Sequence, residues 1–149
     1  MRSNRMKVLF ESKSENEAFA RIAVAAFITP LDPTIQEMTD IKTAVSEAVT
    51  NCIVHAYGDD EGIIEIEAQI EDDVVTVTVK DNGVGIKDIG AAMEPLYTTK
   101  PELERSGMGF SFMEIFMDTL EVTSNPGKGT TVKMSRKLGR DEQKPAQGQ

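Results

Sequence analysis

The chain has 149 residues, of which 40% are hydrophobic and 28% charged, and its formal net charge is −9. This composition is typical of one soluble globular domain and excludes a disordered or membrane-spanning chain. No apolar run reaches the roughly 20 residues that cross a bilayer, so we expect a cytoplasmic protein without a membrane partner. The acidity argues against direct nucleic-acid binding, which needs an excess of Lys and Arg.

The N-terminal part predicts a strand followed by a helix. Residues 6–12 are typical of a short strand, and Ser14 and Glu17 have the spacing of a capping box that opens a helix ending near Ile28. Arg21 is expected to be exposed. Residues at three- and four-residue spacing predict the buried face of this helix: Ala18, Ile22, Ala25 and Ala26.

A second, longer helix is predicted from Asp32 to Ala56. Asp32 precedes Pro33, which is favoured at the first helical position, so Asp32 is the expected N-cap. Cys52 is the only cysteine, which excludes an intrachain disulfide, and it is expected to be a small core residue. One side of the helix carries a continuous apolar stripe: Ile35, Met38, Ile41, Val45, Ala48, Val49, Cys52 and Ile53.

The period of the hydrophobic pattern then changes to two. Residues 64–71 and 75–80 flank a tight turn and predict an antiparallel hairpin. Residues 120–123 and 131–134 predict a second hairpin, which could share the same sheet. We therefore expect the α+β class: a two-layer sandwich with a mostly antiparallel sheet, helices on one face and a flexible lid over a pocket.

No repeat or linker divides the chain. Residues 1–137 are expected to form one domain, and 138–149, which are polar and aperiodic, a disordered tail. The segment 81–107 is rich in glycine and has little periodicity. Loops of this length inside compact domains are usually functional, and a short helix is expected to follow it, from about Gly109 to Met117.

Glu47, Asn51 and His55 follow one another at four-residue spacing and form a polar row on the long helix. Such a row is usually the solvated face of an amphipathic helix. Asn, however, is unfavourable in mid-helix, so its amide oxygen should have a partner. Mg²⁺ is a plausible one, because it takes oxygen ligands and needs only one or two protein groups beside phosphates.

Two glycine-rich segments could approach a ligand closely. Asp81-x-Gly83-x-Gly85 leaves a predicted strand, but it lacks the third glycine of a dinucleotide fingerprint and could be a plain hairpin exit. Gly107-Met108-Gly109 precedes a predicted helix, whose free N–H groups suit a phosphate. An ordinary mobile loop would explain this second segment about as well.

Taken in order, these elements resemble the ATP-binding domain of the gyrase, Hsp90, histidine-kinase and MutL superfamily. The resemblance covers the chain from about residue 8 to residue 136. Segments 46–51 and 95–110 are further similar to the anti-sigma factors of endospore-forming bacteria, which are also serine kinases. Four motifs match: the N box (Glu47, Asn51), the first glycine box (Asp81, Gly83, Gly85), the second (Gly107, Gly109) and the last (Gly129-Thr130).

This resemblance implies ATP and Mg²⁺ as cofactors and a role for each motif. Asp81 would accept a hydrogen bond from the adenine amino group, helped by water near Thr130, while Asn51 would coordinate Mg²⁺. Glu47 would be the general base, with His55 as its rival. Four residues would offer backbone N–H groups to phosphate: Gly107, Met108, Gly109 and Phe110. Lid candidates are Thr98, Thr99, Lys100 and Arg105, of which Arg105 best suits the γ-phosphate.

The resemblance also implies a function and partners. The protein would phosphorylate an anti-anti-sigma factor on serine and, with nucleotide bound, sequester a sporulation sigma factor from RNA polymerase, as a homodimer. Arg21 and the first helix are the expected partner surface.

Two alternatives stay open beside this function. One is a histidine-kinase-type catalytic domain, which is disfavoured because fewer than ten residues precede the first predicted strand, leaving no acceptor hairpin. The other is a nucleotide-gated binding module without serine kinase activity. It is disfavoured because no gyrase-type transducer domain follows and Glu47 is retained.

Overall fold

The computed structural model describes residues 2–57, 61–83 and 109–139. A 3₁₀ turn, Thr29–Leu31, joins the first two helices, and a π-helical segment, Cys52–Tyr57, continues the second. The main elements of the described residues are β1 (Ser3–Glu11), α1 (Asn16–Ile28), α2 (Ile35–Asn51), β2 (Ile63–Glu71), β3 (Val74–Asp81), α3 (Gly109–Phe116), β4 (Thr119–Asn125) and β5 (Gly129–Lys137). The predicted α+β class is confirmed.

The five strands form one sheet in the order β1-β2-β3-β5-β4, and each neighbouring pair is antiparallel. Both predicted hairpins are present and share this sheet through the pairing of β3 with β5. Alternate residues of each strand point to one face, which the helices cover. The buried apolar residues of β2 and β3 are Ile64, Ile66, Ala68, Ile70, Val75, Val77 and Val79.

The helix α2 lies at the centre of the core. Burying one Ile or Val side chain stabilises the fold by about 1.5–3 kcal/mol, so this helix contributes much of the core energy. Ile35 was predicted to belong to its buried stripe but is 87% exposed, because it occupies the first helical position, ahead of the covered turns. None of the helices in residues 2–57, 61–83 and 109–139 is long and apolar enough to cross a membrane. The buried apolar residues of α2 are Ile41, Ala44, Val45, Ala48 and Val49.

Two predicted helix caps are wrong. Thr34 rather than Asp32 caps α2: Thr34 Oγ1 accepts from the Glu37 N–H at 3.0 Å, and Glu37 Oε1 accepts from the Thr34 N–H at 2.8 Å. Asp32 instead ends the 3₁₀ turn in the left-handed conformation, with φ 54°. At α1, Ser14 and Glu17 form no side-chain cap, since the N-cap position belongs to Glu15.

The buried face of α1 also differs from the prediction. Ala20, Val24 and Ile28 are buried, whereas Ile22 is 62% exposed and Ala26 is exposed. Both sets of residues have helical spacing, because α1 is apolar around most of its circumference. Periodicity therefore could not choose between the faces, and packing against α2 and the sheet decided it.

Buried polar groups join the end of β5 to the two flanking helices. Arg136 Nη1 donates to Asp40 Oδ2 at 2.6 Å and to the Phe116 carbonyl oxygen at 2.9 Å. The other Asp40 oxygen accepts from Gln36 Nε2 at 2.6 Å. Because Asp40 belongs to α2 and Phe116 ends α3, this one guanidinium fastens both helices to the sheet.

A second contact extends the folded part beyond the predicted domain boundary at residue 137. The Gly139 N–H donates to Glu37 Oε2 at 2.7 Å, and Leu138 is buried in the core. Leu138 and Gly139, which the prediction assigned to the tail, thus pack on the domain. The rest of the predicted tail, 140–149, lies outside the described residues.

We expect Arg136→Met to lower the free energy of unfolding by about 3–5 kcal/mol, because it leaves the Asp40 carboxylate buried without its cation. Urea denaturation measures this loss. The double variant Asp40→Leu/Arg136→Met removes both charges and should recover most of it. Equal losses in the single and double variants would show that packing, and not the charge pair, is responsible.

Candidate nucleotide-binding site

Asp81 is a charged residue at a core-facing position. It ends β3 and continues the row of Val75, Val77 and Val79, and it is only 4% exposed. A buried carboxylate is tolerated only when protein groups donate hydrogen bonds to it. The period of two in β3 puts position 81 in the buried row, so it is a second sequence signal for Asp81 beside the glycine motif.

The two carboxylate oxygens of Asp81 have different partners. Oδ1 accepts from the Gly83 N–H at 2.9 Å and from the Thr130 N–H at 3.3 Å. Oδ2 accepts from the Cys52 thiol at 3.4 Å. A carboxylate has about four lone-pair sites. The donors within residues 2–57, 61–83 and 109–139 occupy three of them, which leaves one site on Oδ2 among these residues.

Glycine at position 129 makes the Thr130 contact possible. Asp81 and Thr130 are register partners in the pairing of β3 with β5. Gly129 has φ +102°, and a Cβ there would clash with the Asp81 carbonyl oxygen. The Thr130 hydroxyl also lies 2.9 Å from the Ser124 hydroxyl. The structure therefore brings Asp81 and Thr130 together, and their contact with adenine stays a prediction.

Cys52 is buried, as predicted for a core residue, but its bond to Asp81 was not predicted. Twenty-nine residues separate the two, so no local pattern signals the contact. Burial raises the pKa of the Cys52 thiol well above its ordinary value, and the nearby Asp81 charge raises it further. The thiol therefore stays protonated and acts as a donor.

Glu47 and Asn51 lie one turn apart near the end of α2, and both are half-buried. Because Cys52 directly follows Asn51, its bond to Asp81 brings this end of α2 to the exit of β3. His55 does not continue the predicted row, since it belongs to the π-helical segment, where hydrogen bonds run from i to i+5 and side chains leave the α-helical register.

The helix α3, Gly109–Phe116 among the described residues, is the short helix predicted after the glycine-rich segment, and it packs against α2. Phe110 is buried, so the start of the helix is anchored in the core. The first N–H groups of a helix have no acceptor within it and can bind an anion. The other predicted phosphate and lid residues lie outside the described residues: Gly85, Thr98, Thr99, Lys100, Arg105, Gly107 and Met108.

Tyr57 is a further residue near Asp81 that the motifs did not indicate. Its hydroxyl accepts from the Asn82 N–H at 2.8 Å and donates to the Ile63 carbonyl oxygen at 2.8 Å. Tyr57 and Asn82 are 25 residues apart, so their contact exists only in the folded chain.

Arg21, the predicted partner residue, lies on α1. Its side chain is 39% exposed and forms an ion pair with Glu17 at 3.5 Å. Phe19 and Ile22 are exposed on the same helix. The predicted exposure of Arg21 is thus confirmed in part, and apolar side chains accompany it at the surface.

We expect native protein to become less stable as pH rises above about 8.5, the ordinary value for a thiol, because the raised pKa of Cys52 makes its ionisation unfavourable in the folded state. The contribution of the protonated Cys52 thiol to the free energy of unfolding is fully present below that pH. It is lost as the pH rises from there towards the pKa of the thiol in the folded state. Cys52→Ala should flatten the decline in the free energy of unfolding between pH 8 and 9.5. An unchanged slope would assign the decline to other groups.

Two kinds of comparison identify the family. The sequence model of one protein family, the histidine kinase-like ATPase domain, matches residues 10–136 of this chain. The chain is 59% identical over 139 residues to the anti-sigma F factor of Clostridium beijerinckii, covering 93% of this chain and 97% of that protein. It is 60% identical over 140 residues to the anti-sigma F factor of Pasteuria penetrans, covering 93% of both.

A solved structure shares the fold. The crystal structure of the RsbU and RsbW domains of a Mycobacterium tuberculosis protein matches with a TM-score of 0.66 at 18% identity, over 91% of this chain and 32% of that one. At this identity the likeness concerns the fold alone. From the family match and its two relatives, the chain belongs to the anti-sigma F factors, within the histidine kinase-like ATPase domain family.

Proposed function

We propose that the protein is an ATP-dependent serine kinase that phosphorylates an anti-anti-sigma factor and, with nucleotide bound, sequesters a sporulation sigma factor in the cytoplasm. The observation that carries this proposal is the buried Asp81 carboxylate, whose Oδ2 accepts from the Cys52 thiol and from no other group of the described residues. An acceptor at this position suits the C6 amino group of adenine, which donates a hydrogen bond, whereas guanine has a carbonyl at C6 that offers no donor there. Family membership supports ATP as the nucleotide.

Asn51 is the proposed magnesium ligand. Its amide oxygen is a hard donor, and Mg²⁺ usually takes one or two protein oxygens and completes its shell with phosphates and water. The position of Asn51 at the end of α2, next to the Cys52–Asp81 bond, suits a metal on the phosphates of a nucleotide that Asp81 holds. The bound ion would neutralise developing phosphate charge.

Glu47 is the proposed general base. A glutamate is ionised at neutral pH and can accept the proton of a serine hydroxyl as that oxygen bonds to the γ-phosphorus. The bond between the γ-phosphorus and the β-bridging oxygen then breaks, and ADP leaves. The backbone N–H groups at the start of α3 would hold phosphate oxygens during this transfer.

The surface of α1 around Arg21 is the proposed partner site. Phe19, Ile22 and Ala26 are exposed on α1 as well, on a different side of the helix from Arg21. Ile22 and Ala26, which the sequence predicted to be buried, are therefore available to another protein. Arg and aromatic residues are common anchors of interfaces. The relatives' name supports a sigma factor as one partner, and we propose the anti-anti-sigma factor and a homodimer in addition.

Glu47→Gln should keep the Kd for ATP within about twofold of the wild type and slow phosphate transfer by about 10²–10⁴-fold, because it removes the base and keeps the shape. Asp81→Asn is the matched carboxylate control and should weaken ATP binding instead. Titration of each variant with ATP measures the Kd. Incubation of each variant with γ-labelled ATP and the partner measures the rate of phosphate transfer. Normal transfer by Glu47→Gln would exclude Glu47 as the base.

The same labelling experiment separates the alternatives. An acid-stable label on the partner identifies phosphoserine, whereas an acid-labile label identifies phosphohistidine and a histidine-kinase-type domain. Release of inorganic phosphate without any labelled protein would favour a nucleotide-gated binding module.

Arg21→Ala should weaken partner binding about tenfold or more, as truncation of an interface anchor does, and leave the Kd for ATP unchanged. Calorimetry with the purified partner measures both values. Arg5→Ala, which removes an exposed arginine of β1, is the matched control. Equal affinities of the Arg21→Ala variant and the wild type would move the partner surface away from α1.

A further inference from the structure

The π-helical segment Cys52–Tyr57 faces the stretch that contains the nucleotide-reading carboxylate. π-helical turns are rare and occur mostly at functional sites, because the wider turn redirects the side chains that follow it. In this protein the segment begins directly after Asn51 and lies against Asp81, Asn82 and Gly83.

Each residue of that stretch is held by a residue of the segment. Asp81 accepts from the Cys52 thiol, and the Asn82 N–H donates to the Tyr57 hydroxyl. Gly83 packs so closely on Ala56 that a Cβ at position 83 would clash with the Ala56 carbonyl oxygen. The first glycine box is thus shaped by the end of the long helix as well as by its own residues.

The Tyr57 hydroxyl is the contact that reaches the backbone beside Asp81. It bridges the Asn82 N–H, just after β3, and the Ile63 carbonyl oxygen, at the start of β2. The ring of Tyr57 lies over Gly62, where a Cβ would overlap it. A phenol is protonated at neutral pH, and burial raises the pKa of Tyr57 further, so its hydroxyl can donate one of these hydrogen bonds and accept the other.

Planarity of the peptide bond connects this contact to the carboxylate. The Asn82 N–H and the Asp81 carbonyl belong to one rigid plane. Tyr57 holds the N–H end of that plane, and the carbonyl end packs on Gly129. The backbone at Asp81 is therefore restrained on both sides, which limits the directions in which its side chain can point.

We propose that Tyr57 is a positioning residue of the nucleotide site, whose hydroxyl fixes the Asp81–Asn82 peptide and thereby aims the open Asp81 oxygen at the base. This inference rests on the proposed function, since it takes Asp81 to read adenine. In this role Tyr57 acts through the Asp81–Asn82 peptide and not on the phosphates or the reacting atoms. Its loss should weaken nucleotide binding and base selectivity and leave phosphate transfer from bound ATP unaffected.

Tyr57→Phe tests this role, because it keeps the ring over Gly62 and removes the hydroxyl alone. Without nucleotide, exchange of the Asn82 amide hydrogen for deuterium should accelerate about tenfold, as expected when one hydrogen bond is lost. The Kd for ATP should rise by about fivefold to tenfold, and the preference for ATP over GTP should fall. The kcat at saturating ATP should stay within about twofold of the wild type.

Ser12→Ala is the matched control. The Ser12 hydroxyl accepts from the Gly62 N–H at 2.9 Å, in the same corner of the fold, and none of its hydrogen bonds reaches residues 81–83. This variant should lose stability without a change in the Kd for ATP or in Asn82 exchange. Equal rises in Kd for Ser12→Ala and Tyr57→Phe would overturn the proposal, because a general loosening of the corner would then explain both.

The outcomes separate this inference from the proposed function. If the wild type binds ATP and Tyr57→Phe binds it equally well, Tyr57 has no positioning role. If the wild type fails to bind ATP, the proposed function is wrong. Unchanged exchange of the Asn82 amide in Tyr57→Phe would show that the Tyr57 hydroxyl does not restrain the Asp81–Asn82 peptide, whether or not ATP binds. Thermal unfolding of Tyr57→Phe within a few degrees of the wild type checks that the variant is folded.

Discussion

The structure depends on one constraint, the carboxylate of Asp81, which is buried at the end of β3, the middle strand of the sheet. Leaving such a charge without hydrogen-bond donors would cost several kcal/mol, a large part of the stability of a domain. Asp81 meets the requirement with donors from three places in the chain: Gly83, Thr130 and Cys52. The contacts that make the charge tolerable also set the direction of its remaining acceptor site.

Bringing these donors to Asp81 restricts how the neighbouring strand and helix can pack. β5 must pair with β3 in the register that puts Thr130 opposite Asp81, and Gly129 must be small enough for the strands to meet there. The end of α2 must come close enough for the Cys52 thiol to reach the carboxylate, and this brings Asn51 and Glu47 to the same edge. Folding and assembly of the site are therefore one process.

The core-facing row of β5 has a polar residue near each end. Thr130 belongs to the candidate site, while Arg136, at the opposite end, joins Asp40 of α2 and the last carbonyl of α3. The ends of both helices that lie away from the site are thus anchored to the sheet. This leaves the C-terminal end of α2 and the N-terminal end of α3 as the parts that can meet a nucleotide.

The sequence by itself determined the strands, the two hairpins, the centre of α2 and the presence of α3, because alternation, helical periodicity and turn residues act over a few neighbours. It also determined the family, because four short motifs that are typical of the family occur in the sequence in the expected order. Glu47 as base, Asn51 as metal ligand and Arg21 as partner residue stay predictions from those motifs.

Only the tertiary structure decided which face of α1 is buried and which groups surround Asp81, because α1 is apolar around most of its circumference. The Thr34 cap is different: the spacing of Thr34 and Glu37 is a local capping-box signal in the sequence, and the prediction of Asp32 missed it. The contacts of Asp81 with Cys52 and of Asn82 with Tyr57 join residues 29 and 25 positions apart. Such contacts depend on strand register and on the π-helical turn, which arise when the whole core packs and which no short stretch of sequence encodes.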